Sequence, residues 1–487
     1  MILREAFDYR FSRVDPAGGA HIDPPSVAIY DTLLVKGRDW QAQPSLVNGW
    51  DISPDGLEWR LRVRPGVRFH SGAPCDAAAL LAALDVLRHG GDGGRQLWYW
   101  DPVDRVVAPD PETLVFTLHH PYSRLPALLW GTHTAIHNEA ARARHGEAYG
   151  HETADGTGPF RLSSWSPERV VAERFDDYRD GAPPLSRIEW LFLETASDRL
   201  AALRAGEVHC LHGPPYASVE ELEHDPRVRV VRHPQASNIY LGLDVRRADL
   251  HFDDLRVRQA LSLAVDRAAI VRDVYGGYAH ATAGPIGPGD EYYDPSVESR
   301  ARHDPAEAVA LLDAAGLPPR ADGVRLRVAC VNQDDEYLRG VARSVARDLR
   351  AVGVELELHF AEPFAAFYDA VAADAPSFIS KWLWQDPTDA IIGFSASWGA
   401  PEPNWQRSSV PALDEAFRAW LRAGTDDELR AASSRAQHAA ATGLPYIPLV
   451  TPDEVFVHAA ALEGWEPCAA NLYPFYDRTK RGQSGHG

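Results

Sequence analysis

Clustered positive charge is what this chain lacks. The net charge is −20, and no run of lysine and arginine stands out apart from the short tail Arg478–Arg481. Nucleic acids and anionic membranes are held by basic patches, so neither is an expected partner. Long apolar runs are missing as well. The longest near a helix, Ala77–Leu84, falls far short of the roughly twenty residues a bilayer-spanning helix needs, and no transmembrane helix is expected.

Chemical signatures are equally scarce. The four cysteines, Cys75, Cys210, Cys330 and Cys468, form no close pair, so the spacing of a metal or redox centre is absent. Cys330 lies in the apolar run Val328–Val331 and is expected as a buried thiol. Gly90–Gly94 is followed by no Gly-Lys-Ser or Gly-Lys-Thr and reads as a loop, not a phosphate cradle. Gly393-Phe394-Ser395-Ala396-Ser397 is not the Gly-x-Ser-x-Gly elbow. Of twenty histidines, His119 and His120 are adjacent and His133 and His137 are four apart. Gly131–Thr134 reads as loop or strand, so this pair does not make a helical metal site, and neither metal nor cofactor is expected. The start, Met1-Ile2-Leu3-Arg4-Glu5-Ala6-Phe7-Asp8, lacks the basic-then-apolar pattern of a secretory signal. Two expectations follow: a cytoplasmic protein, or one whose signal was removed ahead of Met1.

What is present is ordinary globular composition, 45% hydrophobic and 24% charged over 487 residues, enough for two or three domains. Glu58–Arg64 alternates, Trp59, Leu61 and Val63 against Arg60, Arg62 and Arg64, as a strand with one wet face. Pro65-Gly66 then turns the chain and Val67–Phe69 is expected to return as a hairpin partner. Asp76 is placed to cap a helix over Ala77–Arg88. Ser237–Asp244 reads as a strand, and a long helix capped by Asp253 or Asp254 is expected through Ala268 to Val274. Val324–Val331, Glu336–Val352 and Val354–Phe360 read as strand, helix and strand, a crossover joining parallel strands. A helix over 363–373 leads to a third strand at Phe378–Lys381. Near the end, Leu444–Val450 and Glu454–Val457 read as two separate extended pieces.

That third strand opens the most suggestive stretch, Phe378-Ile379-Ser380-Lys381-Trp382-Leu383-Trp384-Gln385-Asp386-Pro387-Thr388-Asp389. In open α/β sheets ligands sit beyond the carboxyl ends of the strands. Trp382, Trp384 and Asp386 would project there, two indoles to stack on a ligand and a carboxylate to orient it. The competing reading is that both tryptophans pack and Asp386 only opens the turn before Pro387.

Four stretches carry a family resemblance: Gly56–Gly72, Gly156-Thr157-Gly158-Pro159-Phe160-Arg161-Leu162, Asp253–Arg267 and Gly284-Pro285-Ile286. In order and spacing they resemble the family 5 extracellular solute-binding proteins of peptide and nickel ABC importers, over nearly the whole chain. The resemblance implies an α/β, type II periplasmic-binding-protein fold of cluster C architecture, two hinged lobes plus an extra domain. It puts lobe I at 1–36, 153–246 and 455–487, the extra domain at 37–152 and lobe II at 247–454, with hinge strands near Tyr240–Val245 and Val450–Val457.

The implied function is non-catalytic: capture of a small organic ligand, peptide-like and possibly aromatic or sugar-containing, for delivery to an ABC permease by a monomeric extracellular or periplasmic protein. The implied ligand contacts are Trp98, Trp100 and His133 in the extra domain, Asn238 and Tyr240 by the first hinge strand, and Trp382, Trp384, Asp386, Trp398 and Trp405 in lobe II. Peptide-binding members carry an aspartate ahead of the loop proline that pairs with the peptide amino terminus. Leu383 stands there when Asp386-Pro387 is held in register; when Trp382 is matched to the family's tryptophan the loop is instead shorter by two residues, and Asp386 is the candidate substitute. The alternative is a cytoplasmic member of the fold acting as an enzyme or ligand sensor.

Overall fold

A computed structural model describes residues 1–18, 24–37, 40–89, 100–131, 134–236, 238–362, 364–382, 408, 410–465, 467 and 476–481. The chain divides into two compact units, Met1–Arg232 with Glu454–Gly487, and His233–Asp453. The strand Asn238–Leu243 pairs with Ser377–Trp382 in the second unit.

In the first unit the main sheet runs Phe160–Ser166, Arg169–Arg174, Arg187–Phe192, Ile2–Phe7, Cys210–His212 and then residues 456–458 of the strand Ile447–Ala459. Ile2–Phe7 is parallel to both of its neighbours. Both faces are covered, since Leu3, Phe7, Cys210 and Phe456 enter one core cluster while Ala6, Leu211 and Val457 enter another. A fully buried carboxylate, Glu5, sits in the first cluster. Its oxygens accept from Trp465 Nε1 at 3.1 Å and the Tyr476 hydroxyl at 2.7 Å, and His212 Nε2 lies 3.1 Å away. These contacts tie the C-terminal segment to the first strand.

The same unit holds a four-stranded antiparallel sheet, Val47–Ile52, Glu58–Val63, Thr113–Leu118 and Val103–Asp110. Trp59, Leu61 and Val63 are buried and Arg60 and Arg62 exposed, as the alternation predicts. Asp76 caps the helix Ala77–Arg88 by accepting from the Ala79 amide. Val67–Phe69, however, is no hairpin partner. Glu58–Val63 pairs with Val47–Ile52 and Thr113–Leu118, and Val67–Phe69 instead closes on Ala73–Cys75 through the positive φ of Gly72.

Gly156-Thr157-Gly158 is glycine-rich because two backbones meet there. A Cβ on Gly156 would lie 2.1 Å from the Ile29 carbonyl oxygen, and one on Gly158 would lie 2.6 Å from that of Ala28. Gly158 donates its amide to Ile29 O at 2.9 Å, and the Thr157 hydroxyl donates to Asp31 at 2.8 Å, a carboxylate also held by Arg179. His70 closes the loop from the other side, its Nε2 2.9 Å from Gly158 O.

The second unit orders its strands Val354–Ala361, Leu326–Gln333, Ser377–Trp382, Asn238–Leu243 and the first half of Ile447–Ala459, with Ala279–Ala281 on that strand's far side. Leu326–Gln333 is parallel to both Val354–Ala361 and Ser377–Trp382, so the parallel series read from the sequence is present. Asp335 starts the crossover helix Glu336–Ala351 by accepting from the Tyr337 and Leu338 amides at 3.0 and 2.9 Å.

Two expectations change here. The long helix is two helices, Leu255–Ala264 and Arg267–Asp273, because Val265 is extended and Asp266 caps a fresh start on the Ala269 amide. The two extended pieces near the C-terminus are one strand, Ile447–Ala459, despite Pro448 and Pro452. A register shift between Ile239 and Tyr240 absorbs Pro448. The Pro448 carbonyl accepts from the buried Arg267 guanidinium at 2.9 Å, whose pKa burial pushes down to about 10.

Two measurements test the glycine loop. Gly156→Ala is expected to lower stability by about 3 kcal/mol, read from the urea midpoint; an unchanged midpoint would refute the steric account. Burial pushes the His70 pKa below its ordinary value of 6.5, the bond to Gly158 opposing. The neutral ring therefore contributes its stability fully above about pH 6.5 and loses it as pH falls through the depressed value. His70→Gln should flatten the loss of stability below about pH 6, measured by denaturant unfolding across pH.

Candidate functional site

Parallel order in the second unit brings the carboxyl ends of three strands, Gln333, Ala361 and Trp382, to one edge of its sheet. Antiparallel pairing brings the start of Asn238–Leu243 there too, with Asn238 directly opposite Trp382. Two predicted site residues, far apart in sequence, are thus cross-strand neighbours. Lys381 Nζ stands 3.7 Å from Asp335, the helix-capping carboxylate. Beside it Arg339 is paired with Asp334 and lies over the Phe360 ring at 5.2 Å. The edge carries both signs of charge, locally compensated.

Asn238 and Tyr240 are buried, at 1% and 0% exposure. The Asn238 Nδ2 donates to Gly284 O and Pro285 O, each at 3.0 Å. That explains the Gly284-Pro285-Ile286 stretch: an asparagine holds two successive carbonyls, and the loop then bonds onward through Gly287 N to Ala236 O at 2.8 Å. The Tyr240 ring packs edge-on against Tyr446 at 5.2 Å and Phe378 at 5.9 Å. Burial raises the Tyr446 hydroxyl well above its ordinary pKa, so it stays neutral.

Trp100 lies in the first unit and is 3% exposed. Trp98, His133, Trp384, Asp386, Trp398 and Trp405 lie outside the described residues, as do Leu383 and Cys468. Thr451 and His280 stand opposite one another on neighbouring strands. Cys75, Cys210 and Cys330 are buried thiols, and burial raises all three above the ordinary range. Among the described residues no group of three histidine, cysteine or acidic side chains could hold a metal ion, and no helix is long and apolar enough to cross a membrane.

Residues 41–404 match the model of the bacterial extracellular solute-binding proteins, family 5 Middle. The chain belongs to this family. As a family 5 solute-binding protein it is the substrate-binding component of an ABC importer, and it is not an enzyme. The glutathione-binding protein GsiB of Salmonella paratyphi A is 27% identical over 474 residues, covering 93% of this chain and 90% of that one. The periplasmic binding protein DppA of Helicobacter pylori, solved with the peptide STSA, superimposes with a TM-score of 0.84 at 22% identity, covering 99% of this chain and 98% of that one. NikZ of Campylobacter jejuni, solved with Ni(L-His), gives 0.84 at 19% identity over 98% and 97% of the two chains. The fold implied by the four sequence stretches is therefore present along the full length, and the catalytic alternative falls.

Asn238→Ala frees two carbonyls that its amide holds. It is expected to cost about 1–3 kcal/mol, and amide hydrogen exchange at Gly287 should speed up. Unchanged exchange there would show that the loop is held otherwise.

Proposed function

We propose that this solute-binding protein captures a short peptide or peptide-like molecule outside the cytoplasm and delivers it to its ABC permease. The observation that carries this is the 27% identity to a glutathione-binding protein across 93% of the chain. The parallel-strand edge at Trp382 and Asn238 supports it, because backbone amides and carboxylates are the groups such an edge can orient. The two compact units are proposed as the lobes, with residues 37–152 as the extra domain of the first. The chain passes between the units at 232/233 and again at 453/454, two connections about which lobes can close. Ligand that bonds both lobes only in the shut state shifts the equilibrium toward closure.

The proposed contacts are Trp98 and His133 from the first unit, and Trp382, Trp384, Asp386, Trp398 and Trp405 from the second, with the buried Trp100, Asn238 and Tyr240 in support. With Asp386-Pro387 held in register, Leu383 replaces the amine-binding aspartate, which favours a ligand whose amino group is not held there, such as a γ-linked peptide. Glutathione is the first compound to test.

Native mass spectrometry of the purified protein should find an intact small peptide-like molecule, and calorimetry with glutathione should register saturable binding without turnover. Trp384→Ala is expected to weaken that binding about tenfold, the equivalent of roughly 1.4 kcal/mol for one lost aromatic contact. Unaltered affinity would remove Trp384 from the site, and conversion of the ligand to a product would overturn the transport reading.

A further inference from the structure

Three arginines converge on one buried carboxylate in the main sheet of the first unit. Glu189 lies within the strand Arg187–Phe192, with Arg4 beside it on the parallel neighbour and Val171 on the antiparallel one. Arg187 is two residues back along the same strand, and Arg169 pairs with Leu191 two residues on, so all three guanidiniums rise from the face that carries Glu189. Glu189 Oε2 is 3.2 Å from Arg4 Nε and 2.9 Å from Arg169 Nη2, and Oε1 is 3.0 Å from Arg187 Nε. The Arg4 backbone is itself fixed, its amide donating to His209 Nδ1 at 2.9 Å.

Charge does not balance at this place. Glu189 sets one negative charge against three positive ones and is 5% exposed, whereas the Arg4, Arg169 and Arg187 side chains are 39%, 51% and 36% exposed. Other acids nearby in the sheet are committed: Glu173 stands opposite Arg161 as well as Arg187, Glu168 is paired with Arg10, and Glu5 belongs to the opposite face. Among the described residues no further hydrogen bond or ion pair engages the three guanidiniums. Farther along the face, Ala6 and Leu191 pack with Leu200 and Leu203 of the helix Ala196–Ala205. Ile2, opposite Arg187, is 37% exposed, so the arginine end of the face meets solvent.

Guanidiniums drawn to one carboxylate repel one another, and their surplus charge calls for an anion. A buried carboxylate that fixes three planar forks leaves their remaining N–H groups as a preformed set of donors, and a doubly charged tetrahedral oxyanion matches both the donors and the surplus. We infer that Arg4, Arg169 and Arg187 bind a phosphate group, with Glu189 as the residue that positions them. The chemistry is that of inorganic phosphate or of a terminal phosphomonoester on a lipid headgroup. This place lies in the first unit and does not depend on what the strand edge at Trp382 binds. No basic run marks it in the sequence, because its arginines come from three strands that only register unites.

Two binding measurements on the whole protein at physiological ionic strength test this: calorimetry with inorganic phosphate, and co-sedimentation with vesicles of phosphatidylcholine alone or mixed with phosphatidic acid. Saturable binding of inorganic phosphate is expected if the free anion is the ligand, and retention by the phosphatidic acid vesicles alone if the headgroup is. Either is expected to weaken about tenfold in Arg169→Gln, with Arg169→Lys, which keeps the charge without the fork, falling between. Arg169 is half exposed, so these variants are expected to fold, and Arg187→Gln gives the same readout from a second position. Binding of neither probe would overturn the inference, as would binding that both glutamine variants leave undiminished.

Discussion

Everything in this molecule has to be compatible with one strand. Ile447–Ala459 is buried almost from end to end, and strands of both units are laid against it: Asn238–Leu243 and Ala279–Ala281 on its first half, Cys210–His212 on its second. Every backbone group along a strand buried on both faces needs a partner. The two prolines would ordinarily break such an element. Here the missing amide of Pro448 coincides with a register shift, its carbonyl is taken by Arg267, and the carbonyl of Pro452 accepts from Gln235 N. The irregularity is thus met locally, and the strand runs through.

Periodicity and capping made much of the fold legible. The wet and dry faces of Glu58–Val63, the cap at Asp76, and the three parallel strands between 326 and 382 all follow from local patterns. Failures came where the outcome depended on a distant partner. Val67–Phe69 has the look of a returning strand, yet Glu58–Val63 already has two neighbours. Val265 breaks a helix whose apolar spacing continues past it, since Asp266 offers a second start. The candidate site was legible as a place more than as a set of atoms: the edge at Trp382 follows from strand order, while the inward burial of Asn238 and Tyr240 depends on register, which one sequence does not display.

Several buried charges take backbone or dipolar partners. Arg267 donates to Pro448 O, Ser262 O and the Ser262 hydroxyl. Arg199 donates to the carbonyls of His212, Leu193, Glu194 and Gly213. The planar guanidinium suits this work, with five donors in a fixed fork and weaker hydration than an ammonium. Lysine is confined to positions 36, 381 and 480. Glu5 is the acidic counterpart, its two oxygens filled by an indole, a phenol and an imidazole neighbour. Such groups are satisfied only when the surrounding elements are all in place, which favours one arrangement over near alternatives.

The second unit is a single uninterrupted segment, His233–Asp453, whereas the first is written in two parts. On the ribosome this sets an order of assembly. The second unit has all of its strands once residue 453 has emerged, but the first still lacks residues 456–458 for its sheet and Trp465 and Tyr476 for its core. Until these arrive, Glu5 has no indole or phenol to bond and Cys210–His212 is an open edge. The part of the chain made first is therefore the part completed last, and its nascent form is the one most in need of protection from aggregation.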